Sequence, residues 1–322
     1  MKKVQTIAPG KIILFGEHAV VYRRPAIAIP VNDVFAQATL ETTEGERGLR
    51  IMAPDLDQDY LLAEAPLDDP LATVVRLTLA HLGRSEPVSA TLSLKSTIPL
   101  GRGLGSGAAI STVIVRVLGD FFGQVLASAQ VSTLVYEVEK LYHGTPSGID
   151  NTVIAFNQPV YFIKEHPIER LQVTQPLTLV IGDTGIISPT HKVVGDLRRR
   201  WQTDPSRYES YFDEIREIVR QARHIIEHGP DVMGTLGKLM NNNQEILAAI
   251  GVSSPELELL IEVARHAGAL GAKLSGAGWG GNMIALTRPE QAPLVAQALQ
   301  AAEAVKVIIT ELPASPVGEK RD

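Results

Sequence analysis

Short apolar runs bounded by turn residues open the chain, at residues 12–15, 27–29, 34–40 and 88–94, and each reads as a β-strand. Helical spacing takes over where Leu71, Val74, Val75, Thr78, Leu79 and Leu82 recur, with Asp69 and Pro70 as cap and first turn. The same period predicts a helix over residues 107–122, with Ile110, Val113, Ile114, Val117, Leu118 and Phe121 on its buried face. A further helix starts near Ser128, turns Val131, Leu134, Val135, Val138 and Leu141 inward, and ends before Gly144. Strands return at 160–163 and 177–181.

The second half has a different texture. A charged helix is predicted over 208–227, a shorter one over 232–240, and another opened by Ser254, Pro255 and Glu256 that stops at Gly268. Residues 283–286 and 305–310 read as strands on either side of an alanine-rich helix after Pro289, and the tail from Pro313 is expected to fray. No internal repeat appears. The change from strands to long amphipathic helices puts a boundary between 165 and 190, giving two domains, 1–175 and 176–322.

Composition limits the function classes. With 322 residues, 45% hydrophobic and 20% charged, the chain suits two folded cores rather than disorder. A net charge of -6 opposes a nucleic-acid surface. Zero cysteines remove disulfides, zinc thiolates and a thiol nucleophile, and are compatible with a reducing cytosol. Two N-terminal lysines precede an apolar run, but Pro9, Gly10 and Lys11 interrupt it, and Glu17 and His18 interrupt it again, so no signal peptide is expected. No stretch reaches the roughly 18 apolar residues of a membrane helix. The expectation is a cytoplasmic protein with neither membrane nor nucleic acid as partner.

Candidate chemistry lies in glycine-rich and carboxylate-bearing stretches. "PLGRGLGSGAA", residues 99–109, follows a strand and opens a helix, where glycines admit close backbone approach and free amides favour an anion. It lacks the Gly-Lys-Ser/Thr ending of a Walker A loop, and Ser106 stands where a dinucleotide fingerprint needs its third glycine. "GAGWGG", residues 276–281, matches that fingerprint as a string, but a strand follows it and no ribose-binding acid does, so a nicotinamide site is rejected. "HGTPSGID", residues 143–150, follows Glu139 and ends on Asp150. Were the first loop to hold nucleotide phosphates, Glu139 could bind magnesium, Asp150 could accept an acceptor proton and Lys11 could stabilise developing charge. A solvated glutamate, a turn aspartate and an exposed lysine are the structural alternatives, and spacing alone does not make them converge.

Taken together, "APGKIILFGEHAVVY" from Ala8, "PLGRGLGSGAA" and "KLSGAGWGGNMIAL" from Lys273 resemble the three motifs of the GHMP kinase superfamily, in the same order. "HGTPSGIDN", "IGDTGIISPTHKVVG" and "NNNQEILAAIGVSSPEL" stand between them, so the resemblance covers residues 8 to 287 and lies nearest the members that act on mevalonate. It implies an α+β, two-domain fold, ribosomal-S5-domain-2-like at the N-terminus and ferredoxin-like at the C-terminus. It also implies ATP and Mg²⁺ as cofactors and a small-molecule acceptor, mevalonate, phosphorylated on its 5-oxygen; a homodimer is left open. By resemblance the ATP phosphates lie on Pro99, Leu100, Gly101, Arg102, Gly103, Leu104, Gly105, Ser106, Gly107, Ala108 and Ala109. Glu139 would be a metal ligand, with Ser106 as a second. Asp150 would be the catalytic base, working with Lys11, and acceptor contacts would come from Lys11, Glu17, His18, Asp150, Thr190 and Ala277. An alcohol is far less acidic than an aspartate's conjugate acid, so the proton is expected to pass late, as the loose transition state forms.

Two positions depart from the family pattern. Gly107 replaces the second serine of the usual "GLGSS", removing a hydroxyl near the metal and phosphates. Trp279 replaces a glycine of the usual "GAGGGG", and either narrows the acceptor pocket or packs outward. Arg198, Arg199 and Arg200 read as a solvated basic face, with attraction of a substrate carboxylate as the weaker reading. Phosphomevalonate kinase, mevalonate 3-kinase, a sugar kinase and a catalytically silent binding protein on this fold are the rival readings. Lys11 speaks against the related decarboxylases, which generally lack it.

Overall fold

A computed structural model describes residues 2–44, 48–84, 89–143 and 146–316. Val88, Gly144, Thr145 and the last residues of the tail, 317–322, lie outside the described residues. In chain order the elements are β1 (Lys3–Phe15), β2 (Ala26–Thr42), β3 (Leu49–Ala53), β4 (Gln58–Leu61), α1 (Pro70–His81), β5 (Ala90–Ser96), α2 (Ser106–Phe121), α3 (Ser128–His143) and α4 (Ile149–Phe156). Then follow β6 (Val160–Phe162), β7 (Glu169–Arg170), β8 (Leu177–Asp183), α5 (Thr190–Thr203), α6 (Pro205–His228), α7 (Val232–Ala249), α8 (Pro255–His266), β9 (Gly271–Ser275), β10 (Asn282–Thr287), α9 (Ala292–Ala301) and β11 (Lys306–Leu312). No described helix is long and apolar enough to cross a membrane.

The chain forms two compact units, both discontinuous in sequence. Unit 1 takes residues 1–10, 34–99 and 105–157; unit 2 takes 11–33, 100–104 and 158–322. The boundary expected near residue 175 lies inside unit 2, between β7 and β8.

In unit 1, the later part of β2 pairs antiparallel with β5, β3 runs parallel to β5, and β4 closes that side of the sheet. Helices α1 to α4 pack on one another, led by the apolar face of α2. The predicted caps form: Asp69 accepts the amide of Ala72 at 2.7 Å, with Pro70 in the first turn. Three side chains tie the helices together. Asn151 on α4 donates to the carbonyl and hydroxyl oxygens of Ser132 on α3, and Arg116 on α2 donates to the Ala155 carbonyl on α4 at 2.6 Å.

In unit 2 an antiparallel sheet runs in the order β11-β8-β10-β9, with α7, α8 and α9 packed against it. Ser254 caps α8 by accepting the amide of Leu257, as its Ser-Pro-Glu opening predicts. Phe212 of α6 is fully buried and stacks on Tyr22, their ring centroids 4.2 Å apart.

Several elements differ from expectation. β2 is continuous through Pro30, which splits it in the sequence. β6 pairs with residues 26–28 and β5 with residues 36–42, so Pro30 falls between those two pairings and its missing N–H breaks neither. α5 buries only Val193 and Leu197, too sparse a stripe to show as a period. α4 is short and follows Gly148, whose φ of 91° starts the helix sharply. α7 runs on to Ala249, beyond the predicted stop at 240, because Asn243, Gln244 and Leu247 are buried in continuation of its face.

The backbones of α7 and β9 touch at two glycines. A Cβ on Gly271 would lie 2.0 Å from the Gly237 carbonyl, and one on Gly237 would lie 2.5 Å from the Leu270 carbonyl. Helix propensity alone would make Gly237→Ala stabilising by about 1 kcal/mol. Because the added methyl meets backbone, Gly237→Ala is expected to destabilise by about 1–3 kcal/mol. Denaturant unfolding measures this, and a gain in stability would contradict the close approach.

Candidate active site

The loop at 99–109 is assembled by its carbonyls. Gly101, Gly103 and Gly105 have φ of 67°, 86° and 76°, values that glycine adopts without a Cβ clash. The Gly101 carbonyl accepts the Ser188 amide at 3.2 Å, the Arg102 carbonyl accepts from Asn282 Nδ2, and the Leu104 carbonyl accepts the Lys11 amide at 2.9 Å. All of these groups belong to unit 2. In a trans peptide the carbonyl and the following N–H point in opposite directions. Fixing those three carbonyls therefore turns the amides of Arg102, Gly103 and Gly105 the other way. The chain then enters α2 at Ser106, whose first-turn amides have no partner within the helix. Free amides at a helix start are donors suited to an anion.

A second group gathers where the first and third motifs meet, within unit 2. Glu17 and Lys273 are both fully buried and form an ion pair. Lys273 Nζ also donates to the Leu274 carbonyl at 2.6 Å, while Glu17 Oε2 has no hydrogen-bond partner among the described residues. Burial pushes the Glu17 carboxyl up and the Lys273 ammonium down, each charge opposing the other's shift; Lys11 adds a further favourable field at Glu17. Lys11 is itself buried, as is His18.

His18 has φ 61° and ψ -50°, a conformation that costs a non-glycine residue about 1–3 kcal/mol and must be held by its surroundings. Its Nε2 lies 2.8 Å from the Ala277 carbonyl. A carbonyl only accepts, so Nε2 carries the hydrogen and Nδ1 of the neutral ring is an acceptor. Burial lowers the imidazole pKa to about 4, the Ala277 hydrogen bond opposes this, and the charges of Arg200 and Lys273 lower it further. Ser275 completes the junction, exchanging hydrogen bonds with the amide and carbonyl of Ile13 at 3.0 Å each.

The third motif is held from behind. A Cβ on Gly278 would lie 1.9 Å from the Val252 carbonyl, so only glycine fits. Trp279, at φ 55°, donates its amide to the same carbonyl and its indole N–H to the Gly251 carbonyl at 3.0 Å. Its ring is thus anchored at the end of α7. Arg200 reaches the same turn, donating to the Ile250 carbonyl at 2.5 Å and to Asp196 at 2.8 Å, so it is no part of a free basic face, whereas Arg199 is exposed. Thr190 is exposed in the first turn of α5.

In unit 1, Glu139 stands on α3 and Asp150 in the first turn of α4, both half-buried. A Cβ on Gly107 would lie 3.6 Å from Glu139 Oε1, so this carboxylate stands over the first turn of α2, where Ser106 begins the helix. A carboxylate there, with a serine at the helix start, is the hard-oxygen chemistry that suits Mg²⁺, for which one or two protein ligands suffice. No group of three or more His, Cys, Asp or Glu side chains among the described residues offers an all-protein metal cage.

Sequence reasoning missed Lys273 as a partner for Glu17. The available signal was a lysine inside "GAKLS", a strand in which every residue is buried; such a charge demands a counter-charge.

GHMP kinases N terminal domain matches residues 71–158, and GHMP kinases C terminal matches residues 231–305. The chain is 35% identical to a mevalonate kinase of Thermococcus sibiricus, with 95% of each chain covered. It is 34% identical to a mevalonate kinase of Pyrococcus furiosus over the same share of both. Among solved structures, L. major mevalonate kinase in complex with R-mevalonate superposes with a TM-score of 0.85 at 30% identity, covering 98% of this chain and 97% of that one.

The burial of His18 has a measurable consequence. With a folded pKa of about 4 against an ordinary 6.5, the native state binds fewer protons than the unfolded chain between those values. Stability therefore rises with pH through this window and is lost as pH falls through it, by about 3 kcal/mol in full. Unfolding curves at pH 6.5 and pH 4 should show a larger loss for the wild type than for His18→Asn. Equal losses would mean that His18 is not the buried neutral group described.

Proposed function

We infer the activity from the family to which this chain belongs, the GHMP kinases, and within it the mevalonate kinases: the protein phosphorylates mevalonate with ATP. The observation that carries this reading is the end-to-end match, 95% of each chain, with relatives of that one activity. We propose (R)-mevalonate as acceptor and its 5-hydroxyl as the atom phosphorylated. A cytoplasmic location and a homodimer complete the proposal, checked by fractionation and light scattering.

The roles are those that the family resemblance implies, applied to this chain's own residues. The amides of the loop at 102–107 receive the phosphate oxygens of ATP, replacing water with fixed dipoles. Glu139 and Ser106 would hold Mg²⁺, which would supply positive charge to offset that of the phosphates. Asp150 takes the hydroxyl proton as the oxygen–phosphorus bond forms, when the alcohol has become acidic enough to give it up. Lys11 stabilises negative charge on the reacting oxygens. His18 offers Nδ1 to an acceptor hydroxyl, while Thr190 and Ala277 complete the acceptor contacts. Glu17 supports these contacts through Lys273 and His18, its own carboxylate being fully buried.

The direct test is ADP release with Mg·ATP against mevalonate, 5-phosphomevalonate, mevalonate diphosphate, galactose and homoserine. Turnover with mevalonate alone, and phosphate on the 5-oxygen by NMR, is the expected result; preference for a phosphorylated acceptor would move the reaction one step along. Asp150→Asn should lower kcat by about 10²- to 10⁴-fold while ATP still binds; near-normal kcat would remove Asp150 as the base. Gly107→Ser should keep fold and activity, since its Cβ would meet Glu139 only at van der Waals distance. Lost activity in that variant would show a loop geometry incompatible with the family's serine.

A further inference from the structure

Arg102 is the one charged residue of the phosphate loop, and its side chain is committed elsewhere. Its Nη1 donates to Asp183 Oδ1 at 3.2 Å, and the Asp183 side chain is only 5% exposed. Asp183 Oδ1 also accepts the Gly185 amide at 2.8 Å, so the carboxylate is fixed before the guanidinium meets it. The main chain of the same residue is held separately, since the Arg102 carbonyl accepts from Asn282 Nδ2, and Asn282 is 1% exposed. Asn282 and Asp183 stand directly opposite each other in the β8–β10 register. One cross-strand pair therefore grips one loop residue twice, by side chain and by backbone. Behind it, a Cβ on Gly281 would lie 2.9 Å from the Arg102 carbonyl, so the loop rests on bare backbone.

We propose that Arg102, Asp183 and Asn282 form a clasp that sets the affinity for ATP by orienting the loop's amides, with Arg102 a positioning residue and not a phosphate ligand. This rests on the kinase reading above. The physical reason lies in the loop's composition. Three glycines at positive φ leave the segment soft, and a soft cradle must be ordered at the moment of binding, which weakens affinity. The Arg102 carbonyl bond directs the Gly103 amide, and the ion pair holds the residue that makes this bond. A phosphate ligand would present its charge to the nucleotide; this guanidinium faces a buried carboxylate, which neutralises it.

The test compares Arg102→Met, Asp183→Asn and the double variant, with KM for ATP and for mevalonate, calorimetric ATP titration, and thermal melting. Each single variant should raise KM and Kd for ATP about tenfold and leave KM for mevalonate within twofold. The double variant should be no worse than the weaker single, because both remove one interaction. Arg102→Lys should recover part of the loss. Loss in Arg102→Met without loss in Asp183→Asn would overturn the proposal, because Arg102 would then contact the nucleotide itself. Lower melting temperatures with unchanged ATP affinity would overturn it too, reducing the clasp to a structural contact. Should Asp183→Asn not fold, Asp183→Glu displaces the same charge and should weaken ATP binding in the same direction; unchanged affinity in that variant would overturn the clasp. ATP titration is independent of turnover, so failure of wild-type enzyme to phosphorylate mevalonate would sink the functional reading while the clasp is still judged by binding.

Discussion

A charge cannot be buried alone, and at the junction of the first and third motifs two are buried together. The Glu17–Lys273 pair joins residues 256 positions apart in the sequence, both at zero exposure. Desolvating two such charges is costly, and removing either one strands the other, typically at about 3–5 kcal/mol. Other contacts gather around the pair. The Ser275–Ile13 exchange, the His18–Ala277 bond and the strained backbone of His18 all lie within a few residues of it. The pair is better understood as fixing which segments meet than as a source of net stability.

The glycine loop at 99–109 follows a different logic. Its glycines supply the positive φ that the path requires, but permissive residues do not choose a conformation by themselves. The choice is made at three carbonyls, each received by a donor from a distant part of unit 2: Ser188, Asn282 and Lys11. Because peptides are planar and trans, fixing the carbonyls decides where the amides point.

Unit 1 positions its two carboxylates by helix packing. α2, α3 and α4 are tied through Asn151, Ser132, Arg116 and Ala155, so Glu139 and Asp150 ride on elements whose mutual placement is set by buried hydrogen bonds. Burial lowers the Arg116 pKa, with Asp120 opposing, a sign of how far that tie is desolvated. Glu139 meets the first turn of α2 at the one position where this chain has glycine and its family usually has serine.

What was legible in the sequence was local. The apolar periods of α1 and α2, that of α3 apart from Leu141, which is exposed, the charged helix α6, the caps at Asp69 and Ser254, and a glycine loop feeding a helix at Ser106 follow from spacing within a few turns. The motifs pointed to the family, because they match in order over nearly the whole chain, while the choice among its reactions rests on the full-length relatives. The sequence did not show the continuity of β2 through Pro30, the sparse helix α5, the anchoring of Trp279 at Gly251, or the partners of Lys273 and Arg102. Each depends on what lies opposite, 28 residues away for Trp279, 81 for Arg102 and 256 for Lys273. Hydrophobic periodicity and turn chemistry report a residue's own neighbours. A buried charge or a turned carbonyl is satisfied only by groups the fold brings to it, so those assignments belong to the tertiary structure.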